Sequence, residues 1–427
     1  MNPLRLTEEE SPTKLLMLLA VSLVVGVGSG VLGMSLALLL HYIQHLAYGY
    51  SLNLIISDEN FLHGVSASSP ERRVLILTLC GLIAGIGWWL LYSYGKPLVS
   101  IGEALKTDKK MPLSSTIIHA LLQIVTIALG SPLGREVAPR ELGSLFAAWV
   151  STKAGLTIKE TKIMLACGAG AGLAAVYNLP LGGAIFTLEV LFCSYSWSLL
   201  IPAFITSAIA TLVSWSGLGV ESVYQVADLK LSTSIMVWSI LTSPIFGFGA
   251  YWFMRIATLQ RQKSLHDRKM ILASLLNFSF IGILAIYFPV ILGNGKSAVQ
   301  MEFSSFVGIG LSALILVLRC FILVTSLRVG AQGGLLTPSM ANGALLAAVL
   351  GGIWTHFWPA APFSGFIAIG ATSFLAAAQK MPITAIVIIF EFTHIHFDFL
   401  VPIMLSVAGA VITSHLCSLY FNEKKKE

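Results

Sequence analysis

Apolar residues along this chain come in runs. They occupy about 15–47, 74–93, 114–129, 163–193, 198–214, 235–257, 270–292, 303–326, 342–357, 363–378, 382–393 and 399–421. About 20 apolar residues in helical form cross the hydrocarbon of a bilayer, so the first run is long enough to span it, while several others fall short. Glycine and proline interrupt the pattern at Gly168 to Pro180 and at Gly330 to Pro338. Irregular backbone at membrane depth is tolerated only where it is buried in protein or lines a polar cavity. The pattern therefore predicts an all-α polytopic membrane protein built of tilted and broken transmembrane helices. The runs lack period-two alternation, which excludes a β-barrel.

Composition agrees with a bilayer. Of 427 residues, 56% are hydrophobic and 11% charged, against about 25% charged in soluble domains. The net charge of +6 does not form a nucleic-acid face. Arg255, Arg261, Lys263, Arg268, Lys269 and the tail Lys424-Lys425-Lys426 lie between or after apolar runs, as the positive-inside rule predicts for cytoplasmic loops. Residues 1–14, with Glu8-Glu9-Glu10, read as a cytoplasmic tail with no cleavable signal, and 422–427 as a basic cytoplasmic tail. Cys80, Cys167, Cys193, Cys320 and Cys417 lack metal or redox spacing and read as packing residues. No cofactor is implied.

The chain also repeats itself. Gly168 to Pro180 overlays Gly370 to Pro382, and the same offset superposes Glu189 on Glu391. Gly134 and Pro139 fall near Gly333 and Pro338 at a similar offset. Two halves that each carry a broken helix are a transporter signature, with the site where the halves meet. The expected halves are 15–225 and 226–421; the repeat alone leaves open whether they are parallel or inverted.

Charge is most concentrated in Gly130-Ser-Pro-Leu-Gly134-Arg135-Glu136-Val-Ala-Pro139-Arg140-Glu141. Ionisable groups at bilayer depth are costly, by roughly 2.5–3.5 kcal/mol on insertion scales, and usually mark an ion or proton pathway. Gly95 to Ser100, Gly130 to Pro139 and Gly330 to Pro338 each precede a helix start. Such starts leave amides unpaired and carry partial positive charge, which suits an anion held weakly enough to pass. The candidate lining residues are Leu98, Val99 and Ser100, then Arg135, Val137 and Ala138, then Leu335, Leu336 and Thr337. Glu136, at such a start, would compete with the anion and release the site on protonation. The alternative is a structural pair with Arg135 or Arg140.

These residues resemble the CLC family of chloride channels and chloride/proton antiporters. Gly134-Arg135-Glu136 is similar to its gating-glutamate signature and Gly333-Gly-Leu-Leu-Thr-Pro338 to its G-G-x-F-x-P element. Pro180-Leu-Gly-Gly-Ala-Ile-Phe-Thr-Leu-Glu189 resembles its P-L-[AG]-G-x-x-F-x-x-E helix. The resemblance implies the CLC fold of two inverted repeats, a homodimer with one pathway per subunit, Glu136 as gate and a multi-pass location in a bacterial cell (inner) membrane. It also implies transport of chloride or another halide, by a voltage-gated channel or an antiporter of protons, with Tyr420 and Thr337 as hydroxyl ligands. Tyr420 otherwise reads as an interfacial-belt tyrosine.

The departures bear on mechanism. Val137-Ala138-Pro139 replaces Gly-Pro, and Gly95-Lys96-Pro97 lacks the family's anion-coordinating serine, with Lys96 read as snorkelling. Val190 stands where antiporters carry the proton-relay glutamate, while Glu189 and Glu391 read as structural. The missing relay favours a channel or another proton route, and a fluoride/proton antiporter also departs at the serine. A carrier of organic solutes is the alternative of another class. No nucleophile–base or metal set suggests an enzyme: His394, His396 and Asp398 read as a polar loop and His119 as a hydrogen-bonded packing residue.

Overall fold

The computed structural model describes residues 12–51, 61–220, 222–226, 231–305, 307–358 and 363–423. The expected tails, 1–11 and 424–427 in particular, lie outside them. The chain is helical throughout its described length. In the first half run α1 (Pro12–Tyr48), α2 (Phe61–Ala67), α3 (Pro70–Tyr94), α4 (Ile101–Lys106), α5 (Leu113–Ala128), α6 (Val137–Lys153), α7 (Ile158–Tyr177), α8 (Pro180–Phe186) and α9 (Trp197–Leu218). In the second run α10 (Thr233–Gln262), α11 (Lys269–Tyr287), α12 (Lys296–Ser304), α13 (Ile309–Arg328), α14 (Leu336–Trp354), α15 (Phe363–Gln379), α16 (Pro382–Thr393) and α17 (Leu400–Glu423). Among the described residues, 8 helices are long and apolar enough to cross a membrane.

Two compact units form. One takes in the described parts of Met1–Leu39, Gly95–Leu121 and Glu136–Glu221, the other those of Leu40–Tyr94, Leu122–Arg135 and Ser222–Glu427. In the first, α6 and α7 cross with backbone against backbone. A Cβ on Gly143 would lie 2.1 Å from the Gly168 carbonyl oxygen, and one on Gly168 2.3 Å from that of Gly143. Small residues at a crossing let helices approach closely where the hydrophobic effect cannot drive them together. The glycine-rich stretch 168–172 is therefore regular helix, contrary to the expected break. Its glycines serve packing, and the run 163–193 breaks only at Asn178 and Leu179. Thr157 and Glu160 start α7 with a reciprocal capping box, which satisfies two otherwise unpaired amides.

The same device recurs about 200 residues later in the second unit. A Cβ on Gly343 of α14 would lie 2.4 Å from the Gly370 carbonyl oxygen of α15. The backbone repeats as well. Asn178 and Lys380 both end their helices with φ of 55°, proline then opens the next helix at Pro180 and Pro382, and Cys193 and His394 close it with φ of 52° and 50°. His394 is thus a helix cap. Cys193 is exposed, unlike the packing residue expected, whereas Cys80 and Cys167 are buried.

Buried arginines complete the second unit. Arg73 donates from both terminal nitrogens to the carbonyls of Ser66, Ser68, Ala285 and Ile286. Arg319 donates to Ile291 and Gly293. Each cation thereby meets the carbonyls that irregular backbone leaves unpaired in a medium without water.

Glu302 lies on α12, a nine-residue helix that is not among the spanning ones. It is buried and accepts from Ser312 at 2.7 Å, while its Oε2 has no hydrogen-bond partner. Burial pushes its carboxyl from 4.5 up to about 7, against the Ser312 hydrogen bond, which lowers it. The folded protein then binds more protons than the unfolded chain between those pH values, so this group's stabilising contribution falls as pH rises through the window. Glu302→Gln removes that dependence. Thermal melts in detergent should show the variant gaining several degrees on the wild type between pH 4.5 and 8; parallel melts at both pH values would contradict the assignment. Gly168→Leu should destabilise by about 1–3 kcal/mol or more through overpacking. Gly102→Leu, where nothing lies within 4 Å of the added Cβ, serves as the control in the same melts.

Candidate functional site

Glu136 is fully buried. It is the residue before the first turn of α6, in helical conformation, and its side chain makes no capping bond to that turn. Tyr177, the last residue of α7 and itself buried, directs its hydroxyl to Glu136 Oε2 at 3.4 Å. Arg140 donates Nε to the Glu136 backbone carbonyl at 2.9 Å, and its guanidinium lies 5.1 Å from the centre of the Phe186 ring. The arginine four residues on thus fixes the backbone of the helix start. Val137 and Ala138 form the first two positions of α6, with Pro139 third; proline has no N–H to leave unpaired there.

His119 of α5 and Glu141 of α6 meet at 2.9 Å, both largely buried. The helix after Pro180 ends in a π-helical turn, Thr187–Phe192, which carries Glu189 and Val190. Such turns are rare and recur at functional sites. Glu391 lies in the last turn of α16, at the equivalent place in the repeat.

The first glycine–proline break gives a different picture. Leu98 and Val99 are half-buried, Lys96 and Ser100 exposed. Ser100 caps α4, its hydroxyl accepting from the Glu103 amide at 3.2 Å. A helix of six residues follows, shorter than α6 and α14.

In the second unit, the loop that runs into α6 pairs with the loop that runs into α14. Gly134 and Gly334 exchange both backbone hydrogen bonds at 2.8 Å. A Cβ at Gly333 would lie 2.6 Å from Leu133 Cβ, so the loops meet at closer range than any side chain allows. Arg261 donates to the Gly333 carbonyl at 2.8 Å. Leu335 precedes α14, and the buried Leu336 and Thr337 form its first turn. Gln379, at the end of α15, reaches the Leu335 carbonyl and Ser339. Arg135 belongs to this loop and is half-buried.

Tyr420 has aromatic surroundings. It is 57% exposed near the end of α17, edge-on to Phe421 at 5.1 Å, in an aromatic group that includes Tyr251 and Trp252. Tyr177 is the site residue that the sequence pattern does not single out. Its place at the end of the glycine-rich helix, just before Asn178, is the signal that could have found it.

Spanning helices, helices that start within the chain's apolar zone and a buried carboxylate at one such start define a membrane transport protein for small anions. The family model described as voltage gated chloride channel matches residues 80–415. The chain is 30% identical over 370 residues to the voltage-gated ClC-type chloride channel ClcB of Salmonella typhimurium, covering 83% of this chain and 86% of that protein. It is 28% identical over 334 residues to ClcB of Citrobacter koseri, covering 76% and 80%. Its fold is similar to that of a slow cyanobacterial Cl−/H+ antiporter, with a TM-score of 0.76, 18% identity and coverage of 94% and 95%. It is also similar to that of a CLC-type fluoride/proton antiporter, with a TM-score of 0.67, 19% identity and coverage of 95% and 97%. The chain belongs to the voltage-gated chloride channel (CLC) family, and it adopts the CLC fold.

Proposed function

We propose that this protein carries chloride across a bacterial cell (inner) membrane as a homodimer, with Glu136 as the gate of each subunit's pathway. The observation that carries the proposal is the burial of the Glu136 carboxylate at the start of α6 without a capping bond. A helix start favours negative charge through its amides and dipole. An anion and the Glu136 carboxylate therefore compete for the same electrostatic ground, and protonating Glu136 removes the competitor. Tyr177 directs its hydroxyl to this carboxyl group at 3.4 Å, a contact that changes character when Glu136 takes up a proton.

The amides of Leu98, Val99 and Ser100, those of Arg135, Val137 and Ala138, and those of Leu335 and Leu336 are the groups this function offers to the ion. Thr337 adds a hydroxyl, while Tyr420, exposed beside Phe421 near the end of α17, is read as an interfacial residue. Partial charges of this kind hold an ion without trapping it. The chain acts in this account as a conduit with no enzymatic step, and its two repeats divide near residue 225.

Proton coupling is the point on which two versions differ. Val190, in the π-helical turn after Glu189, has no proton to relay, so a coupled mechanism requires a different inner route. Chloride efflux from proteoliposomes, recorded together with the pH of a weakly buffered bath, separates the versions. Wild type should move chloride, and Glu136→Gln should move it without pH control or coupled proton uptake. Proton uptake in the wild type marks an antiporter, and its absence a channel. Fluoride flux without chloride flux would replace chloride by fluoride. Anion flux unaffected by Glu136→Gln, with currents that depend on an organic solute, would overturn the proposal.

A further inference from the structure

The second unit contains a cavity of about 680 Å³, walled by α10, the junction of α15 with α16, and α17. None of the residues assigned above to the anion pathway lines it. Its charge is one-sided: Arg255 and Lys380 line it together with His415, and among the described residues no acidic side chain does. Neither Arg255 nor Lys380 forms an ion pair with another described residue.

Arg255 is nevertheless held in place. Its Nη1 donates to the Tyr251 hydroxyl at 2.9 Å, and its guanidinium lies 5.1 Å from the Trp252 ring and 5.8 Å from that of Phe421. One of five N–H donors is engaged by that bond. Lys380 lines the cavity from the turn between α15 and α16, exposed, with φ of 55°. Thr258, Ser414 and Ser418 add hydroxyls to the cavity, while Ala376 to Ala378 and Val411 make an apolar wall.

A pinned guanidinium, an unpaired ammonium and three hydroxyls facing one space match a phosphate group, which offers several acceptor oxygens and negative charge. The level in the bilayer is marked by Tyr251, Trp252, Phe421 and the exposed Tyr420, because aromatic side chains of this kind gather at the interface. An apolar wall beside the cations suits an acyl chain. Basic pockets between transmembrane helices take anionic headgroups. From this charge complementarity and depth we infer that the cavity seats the headgroup of an anionic phospholipid, of the phosphatidylglycerol type. Free inorganic phosphate shares the head chemistry and lacks the chain that the apolar wall would cover.

Native mass spectrometry of the full chain in neutral detergent tests this, with phosphatidylglycerol, phosphatidylcholine or inorganic phosphate titrated in. Phosphatidylglycerol should be retained at least tenfold over phosphatidylcholine at equal concentration. Arg255→Gln combined with Lys380→Asn should abolish that preference, asparagine being tolerant of positive φ. Arg255→Lys should keep most of it. Lys380→Asn alone, at an exposed position, should lower it several-fold and serves if the double variant loses its monodisperse elution. Equal retention of the two lipids, or an unchanged preference in these variants, would overturn the inference. So would displacement of phosphatidylglycerol by an equal concentration of inorganic phosphate, which would make this a free-anion site. Binding is read directly, so the result does not depend on whether the protein carries chloride.

Discussion

A helix that stops inside a bilayer leaves amides and carbonyls that no water can reach, and this structure gives many of them partners. The solutions are varied. Gly134 and Gly334 pair with each other. Buried arginines are used as carbonyl binders, Arg73 for four carbonyls and Arg319 for two. Thr157 and Glu160 cap α7 reciprocally. At the start of α6 no side chain caps the helix, and the residue that precedes it is the ionisable Glu136. Other helix starts, those of α8, α14 and α16 among them, also lack a side-chain cap; α6 differs in that the residue at its start is a buried carboxylic acid.

Close helix crossings make this arrangement rigid. Gly143 against Gly168 and Gly343 against Gly370 bring backbones into direct contact in each unit. Dispersion and weak backbone contacts replace the hydrophobic drive that lipid removes. The glycine pairs also fix where α6 and α14 begin relative to the helix packed against each. A helix start that shifted along its neighbour would move its amides with it.

Much of this is legible in the sequence. The apolar runs correspond to the long helices, and the offset between Pro180 and Pro382 corresponds to a repeated sequence of left-handed cap, proline start and left-handed end. Glu136 is legible because a charge set between glycine and proline in an apolar context is costly to keep unless an ion or proton uses it. The glycine run of α7 is deceptive because glycine weakens helices in water, whereas at a membrane crossing it permits contact. Asn178, not the glycines, carries the signal for the break. Short α2, α4 and α12 lack the apolar length that announces a span. Tyr177 and the carbonyls that receive Arg73 and Arg319 depend on contacts between segments distant in the chain, which no local pattern encodes. For Tyr420, the likeness of Ser418-Leu419-Tyr420 to a family motif suggests a ligand, while its aromatic neighbours and exposure describe an interfacial residue.

The Gly134–Gly334 pair has an unusual experimental character. Both partners lack side chains, and the bonds they exchange are amide to carbonyl in both directions. Side-chain scanning can therefore add bulk there but cannot subtract the interaction, and any added Cβ confounds loss of the bond with steric displacement. Only chemistry on the main chain, such as replacing one amide by an ester, isolates what the pair contributes. The join between the two loops is in that sense written in backbone alone, and conventional mutagenesis is blind to it.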